Sequence, residues 1–233
     1  MESTILWIKL TLLLIVVSVF IFYQYRRWKK ALEVLEQRKL NHEISILKNQ
    51  MSPHFILNTI NNISVLIETD PPRSQDLLIK FGELLRYSTY DVGQNKVELK
   101  KSMSYLDKYI ELQKIRFSEK NAIETSIKGN PDGKYLAPMI ILPFIENAFK
   151  YGNFEDKSKP GISIQMEIFE NSLYFKISNQ EVRNPASLAK SKGIGIKKTK
   201  KKLRLIYPDK HDLKIYRQNG YFHVELKINN LKG

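Results

Sequence analysis

The spacing of apolar residues changes once along this chain, close to the turn-forming residues 129–133. Before that point apolar side chains recur every three or four residues, the period of a helix, as in Leu99, Met103, Leu106 and Ile110. After it they alternate one by one, the period of a strand, as in Ile162, Ile164, Met166 and Ile168. A helical region that precedes a region of strands predicts an α+β protein with two structurally different parts.

The second part contains three alternating stretches and two helical ones. The predicted strands lie at 162–168, 173–177 and 222–228, and the predicted helices lie at 143–151 and 197–207. Asn219-Gly220, directly before the last strand, is typical of a tight turn between antiparallel strands. We therefore expect an open sheet with helices on one side.

The first part is predicted to be helical. Residues 24–68 have the spacing of one long helix, which Pro53 must bend because proline lacks a backbone N–H and crowds the preceding turn. A second helix is expected after the stop signal at 69–72, and a third from Leu99 to Phe117. Amphipathic helices of this kind cannot bury their apolar stripes alone, so a homodimeric four-helix bundle is expected.

Residues 5–23 form an apolar run that is long enough to cross a bilayer and holds one charge, Lys9. Four basic residues follow the run, namely Arg26, Arg27, Lys29 and Lys30. The positive-inside rule then predicts a single-pass protein of the inner cell membrane, with the C-terminal part in the cytoplasm. A cleaved signal peptide is the alternative, but its positive charges should precede the apolar run. With only residues 1–4 outside, we expect the signal to arrive through the membrane helix or from another membrane protein.

The chain has a formal net charge of +14, no cysteine and four histidines. The lack of cysteine excludes disulfides and thiol catalysis, and no histidine has a partner at the spacing of a zinc site. Basic residues are densest between Lys190 and Arg204, but no helix-turn-helix, zinc finger or stacking motif accompanies them. We therefore predict attraction to anionic membrane lipid or to phosphate, and no nucleic-acid partner.

Pro53-His54 places one ionisable imidazole directly after the expected helix bend. An apolar stripe runs along the helix before it, and His54, Asn58 and Asn61 continue that stripe after it. The apolar residues of the later turns lie on the opposite side, at Ile56, Ile60, Ile63 and Ile67. We therefore expect that opposite side to be packed and His54 to face outward as a candidate reactive group. The alternative is a surface histidine with a structural hydrogen bond.

A second polar face lies on the predicted helix 143–151. Asn147, Lys150 and Tyr151 share one side of it because they are three and four residues apart, and Glu146 borders that side. An amide oxygen can ligate Mg²⁺, an ammonium group can bind phosphate, and a carboxylate can accept a proton or orient water. These residue types predict a nucleotide site, and the alternative is an ordinary solvated helix face.

Two glycines, Gly193 and Gly195, lie ahead of the next predicted helix. Backbone N–H groups in such a loop, together with the positive end of the helix dipole, can bind phosphate. A pair of glycines is weak support when taken alone, because a flexible loop has the same composition. Placed beside the polar face of helix 143–151, the pair adds to the prediction of a nucleotide site.

Three groups of residues resemble motifs of the sensor histidine kinases of the LytS and YehU type. The first group comprises Gln50 to Asn58, Leu84-Leu85-Arg86-Tyr87 and Tyr109 to Phe117. The second, Leu142 to Gly152, is similar to the N-box of that family, and the third, Gly193 to Tyr207, is similar to its last glycine box. The resemblance covers about residues 40–230, and the order of the motifs makes it specific.

The resemblance implies a dimeric histidine phosphotransfer domain at 24–120 and a GHKL-type ATP-binding domain, an α/β sandwich, at 121–233. It implies that His54 accepts phosphate, with Asn58 and Glu146 as further catalytic residues. ATP and Mg²⁺ are the implied cofactors, with Asn147 as the Mg²⁺ ligand. The implied nucleotide-binding residues are Asn147, Lys150, Tyr151, Asn179, Gly193 and Gly195. The implied partner is a cytoplasmic response regulator, for which the LytTR type is one candidate.

The chain departs from the family where an Asp-x-Gly-x-Gly box normally receives the adenine amino group. Residues 177–180 read Ile-Ser-Asn-Gln, so Asn179 offers a hydrogen-bond acceptor without charge. Lys198 and Lys202 stand where the pattern usually has Asn and Arg, and Ile196 replaces Leu. Two hypotheses therefore remain besides a basic surface binder: an autophosphorylating kinase, and a dimeric relay of the same fold whose nucleotide site is too weak for catalysis.

Overall fold

The computed structural model describes residues 18, 20, 22–30, 53–91, 94–117, 123–154, 160–181 and 194–232. The chain divides into two compact units, Met1–Ile46 and Leu47–Gly233. The described residues of the first unit are helical. The predicted membrane helix at 5–23 lies almost entirely outside the described residues, and within the part that is described no helix is long and apolar enough to cross a bilayer. The domain boundary at residues 120 and 121 stays a prediction.

Three α-helices and a short π-helix form the first part of the second unit. They are α1 (Pro53–Thr69), α2 (Pro71–Arg86), the π-helix Tyr87–Asp91 and α3 (Leu99–Lys114). Helix α2 begins where the stop signal predicted, because the Asp70 carboxylate accepts a hydrogen bond from the Arg73 N–H at 3.2 Å. Residues 31–52 are outside the described residues, so the long helix from residue 24 and its bend at Pro53 stay predictions.

The buried face of α1 differs from the predicted one. Phe55, Thr59 and Ile63 are its buried residues, whereas the side chains of Ile60 and Ile67 are 46% and 56% exposed. The prediction was therefore wrong for two of its four isoleucines. The physical reason is an aromatic contact: Phe55 packs on Tyr109 of α3, and this turns α1 so that residues four apart from Phe55 face inward.

A five-stranded mixed sheet forms the second part of this unit. Its order is β2 (Ile123–Lys128), β4 (Ile162–Ile168), β5 (Ser172–Gln180), β7 (Tyr221–Asn229) and β6 (His211–Gln218). The β2–β4 pair is parallel and the other three pairs are antiparallel. Two short strands, β1 (Val97–Glu98) and β3 (Tyr135–Leu136), pair separately. The described residues thus have the α+β organisation expected from the sequence.

Helices α4 (Leu142–Tyr151) and α5 (Ile194–Ile206) lie close to their predicted positions. The rings of Phe144 on α4 and Phe175 on β5 are 6.4 Å apart, which joins the helix to the buried face of the sheet. Leu173 and Ile177 lie on the same face of β5 as Phe175 and are also buried. This packing sets the height of α4 above the sheet and therefore the position of its polar side.

The turn between β6 and β7 confirms the Asn219-Gly220 prediction. Both residues have positive φ angles, 53° and 79°, as a type I′ turn requires. Strand β2 was not predicted from the sequence. It pairs only with β4, and Ile123 is its one buried residue, so its composition shows little of the alternation that marks a half-buried strand.

Candidate functional site

A cavity of about 570 Å³ lies among helices α1, α3, α4 and the first turn of α5. This volume is within the usual range for small-molecule sites. Its lining includes most of the predicted site residues, namely His54, Asn58, Glu146, Asn147, Lys150, Tyr151 and Gly195. Residues that are about 140 positions apart in some cases therefore meet in one concave site within a single chain.

His54 lies on α1 with the side-chain amide of Asn58 one turn later. The Asn58 Nδ2 atom is 3.2 Å from His54 Nδ1 and 3.3 Å from Nε2, so it can donate to one ring nitrogen. An amide N–H can donate only to a ring nitrogen that carries a lone pair. A neutral imidazole carries such a lone pair on one of its two nitrogens, and this is the form that can act as a nucleophile.

Phe55, the neighbour of His54, fixes the start of α1. Its ring centroid is 4.5 Å from that of Tyr109, and the Tyr109 ring is in turn 6.2 Å from Phe149 on α4. Phe55 and Tyr109 are both buried. Because consecutive helical residues point about 100° apart, burial of Phe55 directs His54 along the cavity wall toward solvent.

Glu146 is an acidic residue of the cavity whose carboxyl pKa is raised. Its Oε1 atom is buried and has no hydrogen-bond partner among the described residues. Burial raises the pKa of the Glu146 carboxyl to about 7. A carboxyl group with a pKa near the operating pH can both accept and release a proton, which is the property of a general base.

Asn147 and Lys150 complete the polar side of α4. Lys150 is exposed, and its Nζ atom lies 5.1 Å from the centroid of the Tyr151 ring. Among the described residues no group of three or more His, Cys, Asp or Glu side chains could hold a metal ion. Asn147, which lines the cavity, offers one amide oxygen, and this fits Mg²⁺ bound together with phosphate, since Mg²⁺ usually takes one or two protein oxygens and fills its other positions with phosphate and water.

One predicted nucleotide-binding residue, Asn179, is not among the described residues that line the cavity. Asn179 lies on β5 with 1% of its side chain exposed, and its Nδ2 atom is 3.4 Å from the carbonyl oxygen of Gln180. Gly193 lies outside the described residues. Gly195 does line the cavity, but it lies within the first turn of α5 and not in a loop ahead of it, because the helix begins at Ile194.

Three further residues of the cavity were quoted as motif residues but were given no role in the sequence analysis. Tyr109, Gln113 and Arg116 all line the cavity from the α3 side. Gln113 Nε2 donates to the Tyr109 hydroxyl oxygen at 2.8 Å, and Arg116 donates through Nη1 to Gln113 Oε1 at 3.1 Å. Their spacing of four and then three residues puts them on one side of the helix end, a signal that the sequence did contain.

Comparison with known families gives a match for the first part of this unit. Residues 42–121 match the family model described as histidine kinase. This segment is therefore similar to histidine kinases. It includes His54 and the α3 residues of the cavity, so the resemblance to sensor histidine kinases of the LytS and YehU type is confirmed.

Named relatives agree with this family. A sensor protein kinase of Staphylococcus aureus strain USA300, HptS, is 27% identical over 154 residues, which are 65% of this chain and 29% of the relative. The corresponding HptS protein of strain NCTC 8325 gives the same values. The chain thus spans less than a third of the length of these relatives.

Solved histidine kinase structures show a weaker likeness. The histidine kinase AdeS of Acinetobacter baumannii has a TM-score of 0.39 and 14% identity, covering 76% of this chain and 95% of that structure. A histidine kinase domain of Erythrobacter litoralis has a TM-score of 0.40 and 10% identity, covering 83% of this chain and 93% of the structure. Such scores are too low to support an argument about a site.

Proposed function

We propose that this chain is an ATP-dependent sensor histidine kinase of a two-component system. Mg·ATP is the substrate, His54 accepts the γ-phosphoryl group, and an aspartate of a cytoplasmic response regulator receives it next. The observation that carries the proposal is the shared cavity, in which His54 of α1 meets Glu146, Asn147 and Lys150 of α4. The match of residues 42–121 to histidine kinases supports the same assignment.

The proposed reaction is a nucleophilic substitution at phosphorus. The lone pair of the neutral His54 ring forms the N–P bond while the bond from the γ-phosphorus to the bridging oxygen breaks, and ADP leaves with that electron pair. The proton on the other ring nitrogen is then released. Glu146 lines the same cavity with a carboxyl pKa of about 7, so it is the candidate to accept this proton.

The remaining polar residues have electrostatic roles in the proposal. Mg²⁺ bound with the substrate neutralises charge on the β- and γ-phosphates, and the Asn147 amide oxygen is its protein ligand. The Lys150 ammonium group is exposed at the cavity and is available to bind phosphate oxygens. Gly195 and Ile196 in the first turn of α5 line the same cavity, and the backbone N–H groups of a first helical turn favour an anion.

A homodimer is part of the proposal because one face of α1 and α2 remains apolar and exposed. Its exposed large apolar residues are Leu57, Ile60, Val65, Ile67, Leu78 and Ile79. Isolated apolar residues on a surface are ordinary, but six on two adjacent helices favour a partner helix pair. Membrane lipid, a second membrane protein that supplies the signal and a LytTR-type regulator remain proposed partners.

Labelled ATP tests the proposed function directly. The full chain in membranes or detergent should acquire label that is stable in base and labile in acid, as a phosphohistidine is. His54→Gln should abolish the label, whereas the matched variant His211→Gln, outside the cavity, should keep it. Label that persists in His54→Gln would show that another residue is the acceptor.

The second hypothesis is a relay without catalysis. It is favoured by one observation, the uncharged Asn179 at the position where the family pattern has aspartate, because adenine would then lack a charged acceptor. The relay predicts that the wild-type chain dimerises but gives no label, with or without bound ATP analogue. The kinase predicts both binding and label.

A further inference from the structure

Two hydrogen bonds in series lead from Arg116 at the cavity to the buried Tyr109. Arg116 donates to Gln113, and Gln113 donates to Tyr109. Gln113 is 5% exposed and Tyr109 is 2% exposed, so both links lie in the interior. A buried amide that is bonded at both ends has one orientation, and it therefore offers the guanidinium group of Arg116 a defined acceptor.

The chemistry of the guanidinium group determines which partner donates in each of these hydrogen bonds. Arginine has donors only, so the amide oxygen of Gln113 must face Arg116 and its NH₂ group must face Tyr109. The Tyr109 oxygen then accepts, which leaves its own O–H as a donor. Burial, followed by the charge of Glu146, raises the pKa of Tyr109 well above its usual range, so this hydroxyl stays protonated.

Arg116 has no carboxylate partner among the described residues, where the ion pairs involve other cations. Only one of its nitrogens, Nη1, is used in the hydrogen bond to Gln113. Its guanidinium carbon lies 5.9 Å from the centroid of the Phe117 ring, and among the described residues no other hydrogen bond occupies its remaining N–H donors. Arg116 lines the same cavity as His54 and Lys150, and its guanidinium group has the donors of a phosphate ligand.

We propose that Arg116 is a further catalytic residue, which contacts the oxygens of the γ-phosphoryl group as it moves to His54, and that Gln113 is a positioning residue for Arg116. The inference rests on the proposed function. No bond to Arg116 forms or breaks. Its donors compensate the negative charge that spreads over the phosphoryl oxygens during transfer, while N–P bond formation and ADP release proceed as described above.

The test compares ATP with ADP, because only ATP carries the group that Arg116 would contact. Arg116→Gln in the full chain should weaken binding of a non-hydrolysable Mg·ATP analogue on the order of tenfold and leave Mg·ADP binding unchanged. Labelling of His54 should fall by at least about tenfold. Arg116→Lys should recover part of both losses, since it keeps the charge but loses the two-pronged donor geometry.

Two control variants separate this role from a structural one. Lys114→Ala removes a cation from the same helix end but outside the cavity. It should change neither the affinity for the Mg·ATP analogue relative to Mg·ADP nor the labelling of His54. Gln113→Leu should lower labelling of His54 with a smaller loss of analogue affinity, because Arg116 remains but is no longer held. If Arg116→Gln fails to fold, the Arg116→Lys protein gives the same ATP-to-ADP comparison.

The outcomes distinguish a failure of the role of Arg116 from a failure of the proposed kinase function. A wild-type chain that labels His54, together with an Arg116→Gln chain that labels at the same rate or loses ATP and ADP affinity equally, overturns the role of Arg116 alone. A wild-type chain that binds no nucleotide and gives no label overturns the proposed function and this inference with it. Selective loss of analogue affinity with loss of label supports the role of Arg116.

Discussion

The ring centroids of Phe55 and Tyr109 are 4.5 Å apart, and this contact joins the helix that carries His54 to the helix that carries Gln113. Both rings are buried, and they separate the exposed imidazole from the interior. The contact therefore contributes to the packed core and also holds His54 at the cavity. Its removal should affect stability and phosphorylation together.

Phe55→Ala should lower the free energy of unfolding by about 3 kcal/mol or more, as is usual when a buried phenylalanine is truncated. It should also slow labelling of His54, because α1 loses its ring contact with α3. Urea unfolding and labelling with ATP measure the two effects. Phe169→Ala is the matched control, since that ring is 54% exposed and its loss should change stability by under about 1 kcal/mol. Equal effects of the two substitutions would contradict the role of Phe55.

Glu146 gives a prediction for the pH dependence of stability. Its pKa of about 7 in the folded chain is above the ordinary value of 4.5, so the folded state binds this proton more tightly than the unfolded state does. Ionisation of Glu146 therefore lowers stability progressively as the pH rises from about 4.5 to about 7, with no further change above that range. Glu146→Gln removes this dependence. The free energy of unfolding of Glu146→Gln, relative to that of wild type, should therefore increase by about 3 kcal/mol across that range.

Urea unfolding of both proteins at several pH values from 4 to 9 measures this difference, in buffers of constant ionic strength. Glu167→Gln is a suitable control, because Glu167 is exposed on β4 and outside the cavity. A stability difference between Glu146→Gln and wild type that does not vary with pH would show that the buried carboxyl is not the group that titrates.

How far the sequence could predict this molecule depends on how local each signal is. The helix that holds Asn147 and the turn at Asn219-Gly220 follow from periodicity and turn chemistry within about ten residues. The buried face of α1 does not, because it depends on whether Phe55 finds a ring on α3 in three dimensions. Spacing alone favoured the isoleucines, and the larger aromatic side chain was buried in place of two of them.

The candidate site shows the same limit. Its α4 residues lie on the helical face that the sequence singled out, and Gly195 lines the same cavity, while the roles of these residues stay predictions. The hydrogen bond from Arg116 to Gln113 could not be predicted, since the same residues on an isolated helix would be solvated. Asn179 is fully packed in this structure, so Asn179→Asp, which would introduce the aspartate of the family pattern, also carries the cost of a buried carboxylate.

Asn147→Ala should remove most of the Mg²⁺ dependence of nucleotide binding, because the amide oxygen is the proposed protein ligand of the ion. Calorimetry with ATP in the presence of Mg²⁺ and of EDTA measures the effect. In wild type the affinity should fall on removal of Mg²⁺, whereas in Asn147→Ala the two values should be close. Asn171→Ala, in the exposed turn between β4 and β5, should behave as wild type. An unchanged Mg²⁺ dependence in Asn147→Ala would exclude it as the ligand.

His54 and Asn147 line one cavity within a single chain, and from this we expect phosphorylation within one chain of the proposed dimer. Two variants with different affinity tags test the expectation. His54→Gln keeps a complete nucleotide site without an acceptor, and Asn147→Ala keeps the acceptor without a complete site. If the phosphoryl group stays within one chain, a mixed dimer of the two variants gives no label, since neither chain has both parts.

The mixed dimer is isolated through both tags in sequence, which proves that the two chains are paired before ATP is added. A mixed dimer of wild type and His54→Gln serves as the positive control and should be labelled on the wild-type chain only. Transfer between chains predicts the opposite result for the test dimer, with label on the His54 of the Asn147→Ala chain at a rate close to that of the control. Such label would mean that the cavity receives the partner's histidine during catalysis and that the arrangement of α1 within one chain is not the reacting one.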